Sequence, residues 1–524
     1  MSEPAHRRRR GWAGTLRPER GMSGRTDHVV VVGAGLAGLS AALHLLGAGR
    51  RVTVVESASH PGGRAGLLDA AGYRVDTGPT VLTMPEVVAD ALGAVGESLA
   101  DRLDLVPLHP AYQARFADGS ALAVHSDAAA MEAEVRRFAG PREAAGYRRL
   151  RRWLTELYEA QFDRFIAANL GSPLDLMHPA AARLVALGGL GRLGPAVGRH
   201  LRDERLRRVF SFQALYAGLS PQRAMAAYGV IAYLDTVGGV WFPKGGMRAL
   251  PRALADAAAA HGAEFRYDSP VRRLERVGDR VRAVHTDQER IECDAVVLTP
   301  DLPVAYRLLG RTPRRLVPLR WSPSAVVLHL GVASGAQADP AHHVISFGGA
   351  WRRTFREIID EGRLMSDPSL LVTRPTVTDP TLAPDGRELL YLLAPAPNLA
   401  VGRQDWARIG PAYRDELIAV ATRRGLLIGE PDIDLNHLVT PRDWAEGGHG
   451  AGTPFSLAHT LSQTGPFRPG NRVAGTVNVA LAGSGTTPGV GVPTALISGK
   501  LAAARVTGIP AGPGRSRQGR THGR

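Results

Sequence analysis

At 524 residues, 44% of them hydrophobic and 22% charged, the chain is too long for one compact core and too apolar to be disordered, so roughly two to four packed domains are expected. A single cysteine, Cys293, excludes an internal disulfide and any multi-cysteine metal or iron–sulfur site, and it fits a reducing compartment. The formal charge of +15 is carried almost wholly by Arg (the two lysines are Lys244 and Lys500), and eight of those charges sit in the tails 1–27 and 509–524.

The basic leader, 1–26, is predicted to be disordered. Arg7–Arg10 are followed by no apolar run, so a secretion signal is not expected. The charged tails suit either attraction to anionic lipid or a plain arginine bias. No finger, helix-turn-helix or aromatic-interleaved basic motif accompanies them, so no nucleic-acid partner is expected. No stretch of the length that spans a bilayer is free of charge; Ala224–Pro243 comes nearest and is broken by Asp235.

His28–Val32 is a short, β-branched apolar run, which predicts a buried parallel strand. Leu36–Leu46 follows as a helix and Arg51–Val55 as a second buried strand, one βαβ unit. Between the first strand and the helix lies Gly33-Ala34-Gly35-Leu36-Ala37-Gly38, a G-x-G-x-x-G run in the context that binds a dinucleotide. Gly33 permits the tight turn, Gly35 lets a pyrophosphate approach the backbone, and Gly38 lets helix and strand pack closely. The free N–H groups of the helix start face the phosphates. Glu56, 18 residues beyond Gly38, is placed to accept hydrogen bonds from ribose hydroxyls and to repel a 2′-phosphate, which favours FAD or NAD over NADP.

Residues 85–235 are helical in pattern. Pro141–Leu170 is strongly amphipathic, and Ala181–Gly198 reads as a core helix or an interfacial one. Asp235 interrupts an apolar segment; it is either a buried proton acceptor with a raised pKa or a solvated loop carboxylate. A β-rich block follows, with short strands at Glu264–Arg266, Val271–Arg276, Val281–His285 and Ala295–Leu298, and further strands at Ser324–Leu330 and Glu388–Ala394. Val477–Ala482 predicts a strand, Gly483–Pro493 a Gly/Pro-rich loop, and Thr494–Val506 a helix. Gly483, Gly485, Gly489 and Gly491 allow a flat ring to approach the loop, and the helix dipole behind it would stabilise a reduced, anionic ring. No metal site is expected, since no histidine spacing suits one.

Four segments carry a resemblance. Pro61-Gly62-Gly63-Arg64 resembles the G-G-R element of flavoproteins of the glutathione-reductase-2 type, which include amine oxidases and carotene desaturases. Asp76-Thr77-Gly78-Pro79-Thr80, Trp241-Phe242-Pro243-Lys244-Gly245-Gly246-Met247 and the stretch from Gly483 to Pro493, with Val492, are similar to bacterial phytoene desaturases of the carotenoid oxidoreductase family. The likeness runs from Thr26 to Val506.

The resemblance implies an α/β fold with a Rossmann-like FAD-binding domain (27–80, 241–310 and 470–508), a discontinuous substrate and membrane-facing domain (81–240 and 311–469) and a disordered tail, 509–524. It implies that FAD is held by Gly63, Arg64, Gly78, Pro79 and Thr80 besides the glycine loop, with Val271 against the adenine side. The implied reaction is hydride transfer from an allylic carbon of phytoene to flavin N5, repeated on partly desaturated carotenes through to lycopene, with quinone or oxygen as the electron acceptor. Phe210–Tyr216 and Ala224–Trp241 are candidate tunnel lining or plain core. Members of the family often carry an acidic residue in the helix after a G-Y-R element; here Gly146-Tyr147-Arg148 is followed by Arg149, Arg151 and Arg152, a departure that argues against a carboxylate role in that helix. A substrate insoluble in water implies a peripheral protein on the inner face of the cell membrane. Competing readings are another carotenoid oxidoreductase (isomerase, ketolase or C30 desaturase), a soluble amine oxidase, and a prenyl-chain carrier resembling the guanine-nucleotide dissociation inhibitors.

Overall fold

The computed structural model describes residues 21–313, 317–335, 341–428 and 432–511. Most of both basic tails therefore lies outside the described residues. Of the predicted disordered leader only 21–26 is described, and it is tied down: Met22 N–H donates to the Arg505 carbonyl at 3.0 Å and Thr26 is buried.

The valine-rich run does form a strand, His28–Val32, at the centre of a five-stranded parallel sheet. Its order is Val479–Leu481, Ala295–Leu298, His28–Val32, Arg51–Val55, Glu264–Arg266. Residues from three distant parts of the chain thus make one sheet, in register Val30↔Val296 and Val30↔Thr53. Both faces are covered, and for this reason the strands are continuous apolar runs instead of alternating ones. One face carries the helices Leu36–Gly47 and Val492–Thr507 side by side. They come close enough that a Cβ on Gly499 would lie 2.1 Å from the Ala37 carbonyl oxygen. The last helix starts at Val492, two residues earlier than the sequence pattern predicts, because Pro493 suits a first helical turn.

A seven-stranded, largely antiparallel sheet forms the second layer. Its order is Ile433–Val439, Ser324–Ala333, Arg387–Ala396, Leu370–Thr373, His343–Ser346, Tyr112–Arg115, Ala121–Val124. Its central strands alternate. Val326, Leu328, Leu390 and Leu392 pack under the helix Trp406–Arg423, whereas Ala325, Val327, Tyr391 and Leu393 face a large cavity. The predicted strand at Val271 begins instead at Arg273, leaving Val271 in the loop that reaches the same cavity.

The long amphipathic helix spans Pro141–Gln161 and buries Tyr147, Leu150, Leu154 and Leu157. It does not run on to Leu170: Phe162–Ile166 widens into a π-turn whose residues Phe162, Phe165 and Ile166 line the cavity. The stretch predicted as one helix from Ala181 to Gly198 divides into Pro179–Ala186 and Leu193–Gly198, with glycines at 188, 189 and 191 between them. Among the described residues no helix is long and apolar enough to cross a membrane.

Candidate functional site

The cavity has a volume of about 1720 Å³ and begins at the carboxyl ends of the parallel strands, where open α/β sheets bind their ligands. Val32, Gly33, Gly35, Leu36 and Ala37 form one wall. Gly33 has φ +103°, a turn closed to ordinary side chains, and its amide donates to the Val55 carbonyl at 2.8 Å. Gly35 bridges Gly62, and Gly63 lies against it with room for a ligand in front. Gly38 does not reach the cavity. A Cβ there would sit 1.9 Å from the Gly33 carbonyl oxygen, so its task is the close packing of helix on turn.

Glu56 is buried at the cavity wall. Its Oε2 accepts from Ala34 N–H at 2.6 Å, and its Oε1 accepts from Ala58 N–H at 2.9 Å and Ser57 Oγ at 3.0 Å. A carboxylate offers about four lone-pair sites, so capacity remains for a ligand hydroxyl. Gly63, Arg64, Gly78, Pro79, Thr80 and Val271 line the same space. Gly78 is forced by packing: a Cβ would fall 1.7 Å from the Arg64 carbonyl oxygen. Arg64 faces Asp301 at 3.4 Å, yet its Nε and Nη2 are buried without a hydrogen bond. Buried donors of this kind are rarely left unmatched. They suit the phosphates of a dinucleotide, and with the glycine cradle they show that these residues fit such a group.

Two motif segments meet beside this site. Asp76 accepts from Met247 N–H at 2.7 Å and Arg248 N–H at 3.0 Å, and burial raises its pKa to about 6 in spite of them. Leu82 and Trp241 exchange backbone hydrogen bonds at 3.2 and 2.8 Å.

The C-terminal loop closes the polar end. Gly483, Gly491 and Val492 line the cavity, and the helix Val492–Thr507 points its N-terminus at it. Gly485 does not line it; its missing Cβ makes room for Leu302, 2.7 Å away. The loop is held by Arg468, which sequence reasoning misses. Its buried guanidinium donates to the Ser484 carbonyl at 2.7 Å, to the Thr486 carbonyl at 3.0 Å and, less tightly, to those of Leu457 and Gln463.

Beyond the loop the cavity turns apolar. Asp235, in a π-turn spanning Leu234–Gly238, faces into it, so the solvated-loop reading does not hold. Its Oδ2 accepts from Gln213 Nε2 at 3.2 Å, but enclosure outweighs this bond and lifts the pKa to about 7. Gln213, itself fully buried and a second residue missed from sequence, is fixed by donating to the Val209 carbonyl at 3.1 Å. The other lining carboxylates among the described residues, Glu56, Asp301 and Glu446, belong to the polar end. Nearby, His459 Nδ1 pairs with Tyr228 OH at 3.1 Å; burial and the Arg468 charge push its pKa well down, so the imidazole is neutral. Of the two segments for which the sequence leaves lining and core both open, Phe212, Leu215 and Tyr216, with Ala227, Tyr228, Val230, Ile231 and Leu234, face the cavity, whereas Phe210 is core. Among the described residues no three His, Cys, Asp or Glu side chains are grouped to hold a metal ion.

The cavity opens to the outside through apolar side chains. Val185 (56% exposed), Leu190 (60%), Leu461 (66%) and Phe467 (44%) line its rim, with Leu174 and Met177 still more exposed in the neighbouring segment.

Comparison with known proteins agrees with this geometry. The model of the flavin containing amine oxidoreductase family matches residues 36–507. A phytoene dehydrogenase of Streptomyces griseus is 67% identical over 489 residues, covering 93% of this chain and 96% of the relative. A zeta-carotene-forming phytoene desaturase of Myxococcus xanthus is 36% identical, covering 93% and 95%. Among solved structures, an oxidoreductase from Methanosarcina mazei superposes with a TM-score of 0.61 at 15% identity, over 90% of this chain and 98% of that one, a likeness of fold.

Proposed function

Because the chain belongs to the flavin-containing amine oxidoreductase family, we propose that it is an FAD-dependent phytoene desaturase that carries phytoene through successive desaturations to lycopene. The observation that carries this reading is the continuity of one cavity: a dinucleotide cradle at Gly33–Ala37 runs without a wall into an apolar space where, among the described residues, Asp235 is the one carboxyl. A hydrocarbon offers nothing for hydrogen bonding, so the site must work by position and exclusion of water.

The Gly33–Ala37 turn, Glu56, Arg64 and the Gly483–Val492 loop would hold FAD, which would supply the acceptor for a hydride. Each desaturation removes two hydrogens from adjacent carbons, one as hydride and one as a proton. Asp235 takes the proton, because it is the carboxyl in the apolar part of the cavity and its pKa of about 7 leaves it ready to do so near neutrality. Gln213 holds the receiving carboxylate in place. The terminal electron acceptor would be quinone or oxygen.

The substrate dissolves in membrane, and the apolar rim around Leu190, Leu461 and Phe467 supports docking on the lipid surface at the inner face of the cell membrane. Purified protein should be yellow. Incubated with phytoene in liposomes and FAD, with quinone or air, it should yield lycopene. Colourless protein that takes up no added flavin would leave the prenyl-carrier reading, and flavoprotein that leaves phytoene unchanged would refute the assignment.

A further inference from the structure

Away from the exposed rim, one stretch of the cavity lining is buried and braced. The helix Trp351–Ile359 turns Trp351, Thr354, Phe355 and Ile358 toward the cavity, the i, i+3, i+4, i+7 stripe of one helical face, while Arg352, Arg353 and Arg356 lie off it. Met365 completes this stretch of wall. Ile358 is 0%, Met365 2% and Phe355 4% exposed, in contrast to the open rim. The wall is braced from behind. Buried Glu357 accepts from Arg353 Nε at 2.8 Å and Ser366 N–H at 2.9 Å, which ties the Met365 loop to the helix. Arg208 donates to the Gly348 carbonyl at 2.7 Å and lies over the Trp351 ring.

A row of aromatic rings leads from this wall back toward Asp235. Phe355 meets Trp351 at 4.8 Å, Trp351 meets Phe347 at 5.8 Å, Phe347 meets Phe212 at 5.7 Å, and Phe212 meets Tyr216 at 5.9 Å, the ring that feels the Asp235 charge. The distance between the proton acceptor and this wall is therefore set by a rigid, packed path.

We propose that Phe355, Ile358 and Met365 form a stop for the terminal isoprene unit of the carotene, so that the depth from Asp235 to this stop selects the bond that is desaturated first. The proposal rests on the phytoene reading above. Conjugation in phytoene starts at the middle of the chain and grows outward, so the first new double bond lies furthest from the chain end and needs the deepest insertion. Later bonds lie nearer the end and need less depth. That a 36% identical relative is named for forming zeta-carotene fits a step count adjustable within one architecture.

The test uses the flavin-loaded protein with substrates in liposomes. Ile358→Phe fills the end. It should slow conversion of phytoene about tenfold or more, the scale at which a pocket senses added bulk, while conversion of supplied zeta-carotene stays near the wild-type rate. Met365→Trp, filling the same end from its other side, should act alike if Ile358→Phe folds poorly. Flavin content reports folding, and with the flavin reduced beforehand the variants should still take up phytoene from vesicles, because shallow entry stays open. Equal slowing of both substrates, or no change in either, overturns the stop. Wild-type protein that is flavin-loaded yet converts neither carotene refutes the functional reading itself, and the stop falls with it.

Discussion

Replacing Asp235 with Asn separates chemistry from stability. Enclosure raises the carboxyl to about 7 from the ordinary 3.8. At about 1.36 kcal/mol per pH unit, ionised Asp235 costs the fold about 4 kcal/mol. The folded chain holds the proton more tightly than the unfolded one. The cost is therefore absent below about pH 4, grows between about pH 4 and 7, and is constant above that. Asn keeps the shape and an oxygen for Gln213 Nε2 but never ionises. Asp235→Asn should therefore unfold at higher denaturant concentration than wild type near pH 8, and its advantage should shrink by about 3 kcal/mol at about pH 5. The same variant should lose about 10²–10⁴-fold in desaturation rate, the usual worth of a general base. The wild-type rate should rise with pH through about 7, and the Asn profile should be flat there. Denaturant curves followed by tryptophan fluorescence, and product yields at matched flavin content, read both effects. A stability difference independent of pH would show that the carboxyl is hydrated in the folded chain; an undiminished rate would remove Asp235 from the reaction.

Glu56→Ala removes a carboxylate that accepts Ala34 N–H at 2.6 Å; at about 1.5–3 kcal/mol for such a bond, retention of FAD should weaken roughly 10- to 100-fold, measured as flavin per protein after gel filtration. Arg468→Met strands the buried carbonyls of Ser484 and Thr486, at about 1–3 kcal/mol each, and should also release flavin; Arg468→Lys should not restore it, because an ammonium lacks the planar fork that reaches both. Gly38→Ala places a methyl 1.9 Å from a carbonyl oxygen, more than the roughly 1–3 kcal/mol of ordinary overpacking, and should give flavin-free or insoluble chain on expression. Leu190→Asp with Leu461→Asp should lower sedimentation with vesicles while leaving bound flavin unchanged.

The dinucleotide turn was legible because its chemistry is local: three glycines, a preceding valine run and one carboxylate lie within 30 residues. The C-terminal loop was legible for the same reason. Arg468 was not, since one arginine among so many carries no mark of burial, and its four carbonyl partners come from three separate segments. Gln213 likewise gains meaning only when Asp235, 22 residues on, folds back beside it. The second sheet joins strands from residue 112 to residue 439, a pairing set by long-range contacts that periodicity within each strand does not encode. Asp235 stood at the limit: its apolar neighbours were visible, but whether they enclosed it depended on the π-turn that aims it inward.

The apolar rim has a kinetic consequence. On the lipid-docking proposal, a catalyst that draws substrate through side chains such as Leu190 and Leu461 would meet that substrate as a mole fraction of lipid and not as a bulk concentration. Diluting carotene with more phospholipid at fixed total amounts should then lower the rate, although nothing in the water has changed. Saturation curves for such a protein carry meaning only when the lipid area is stated.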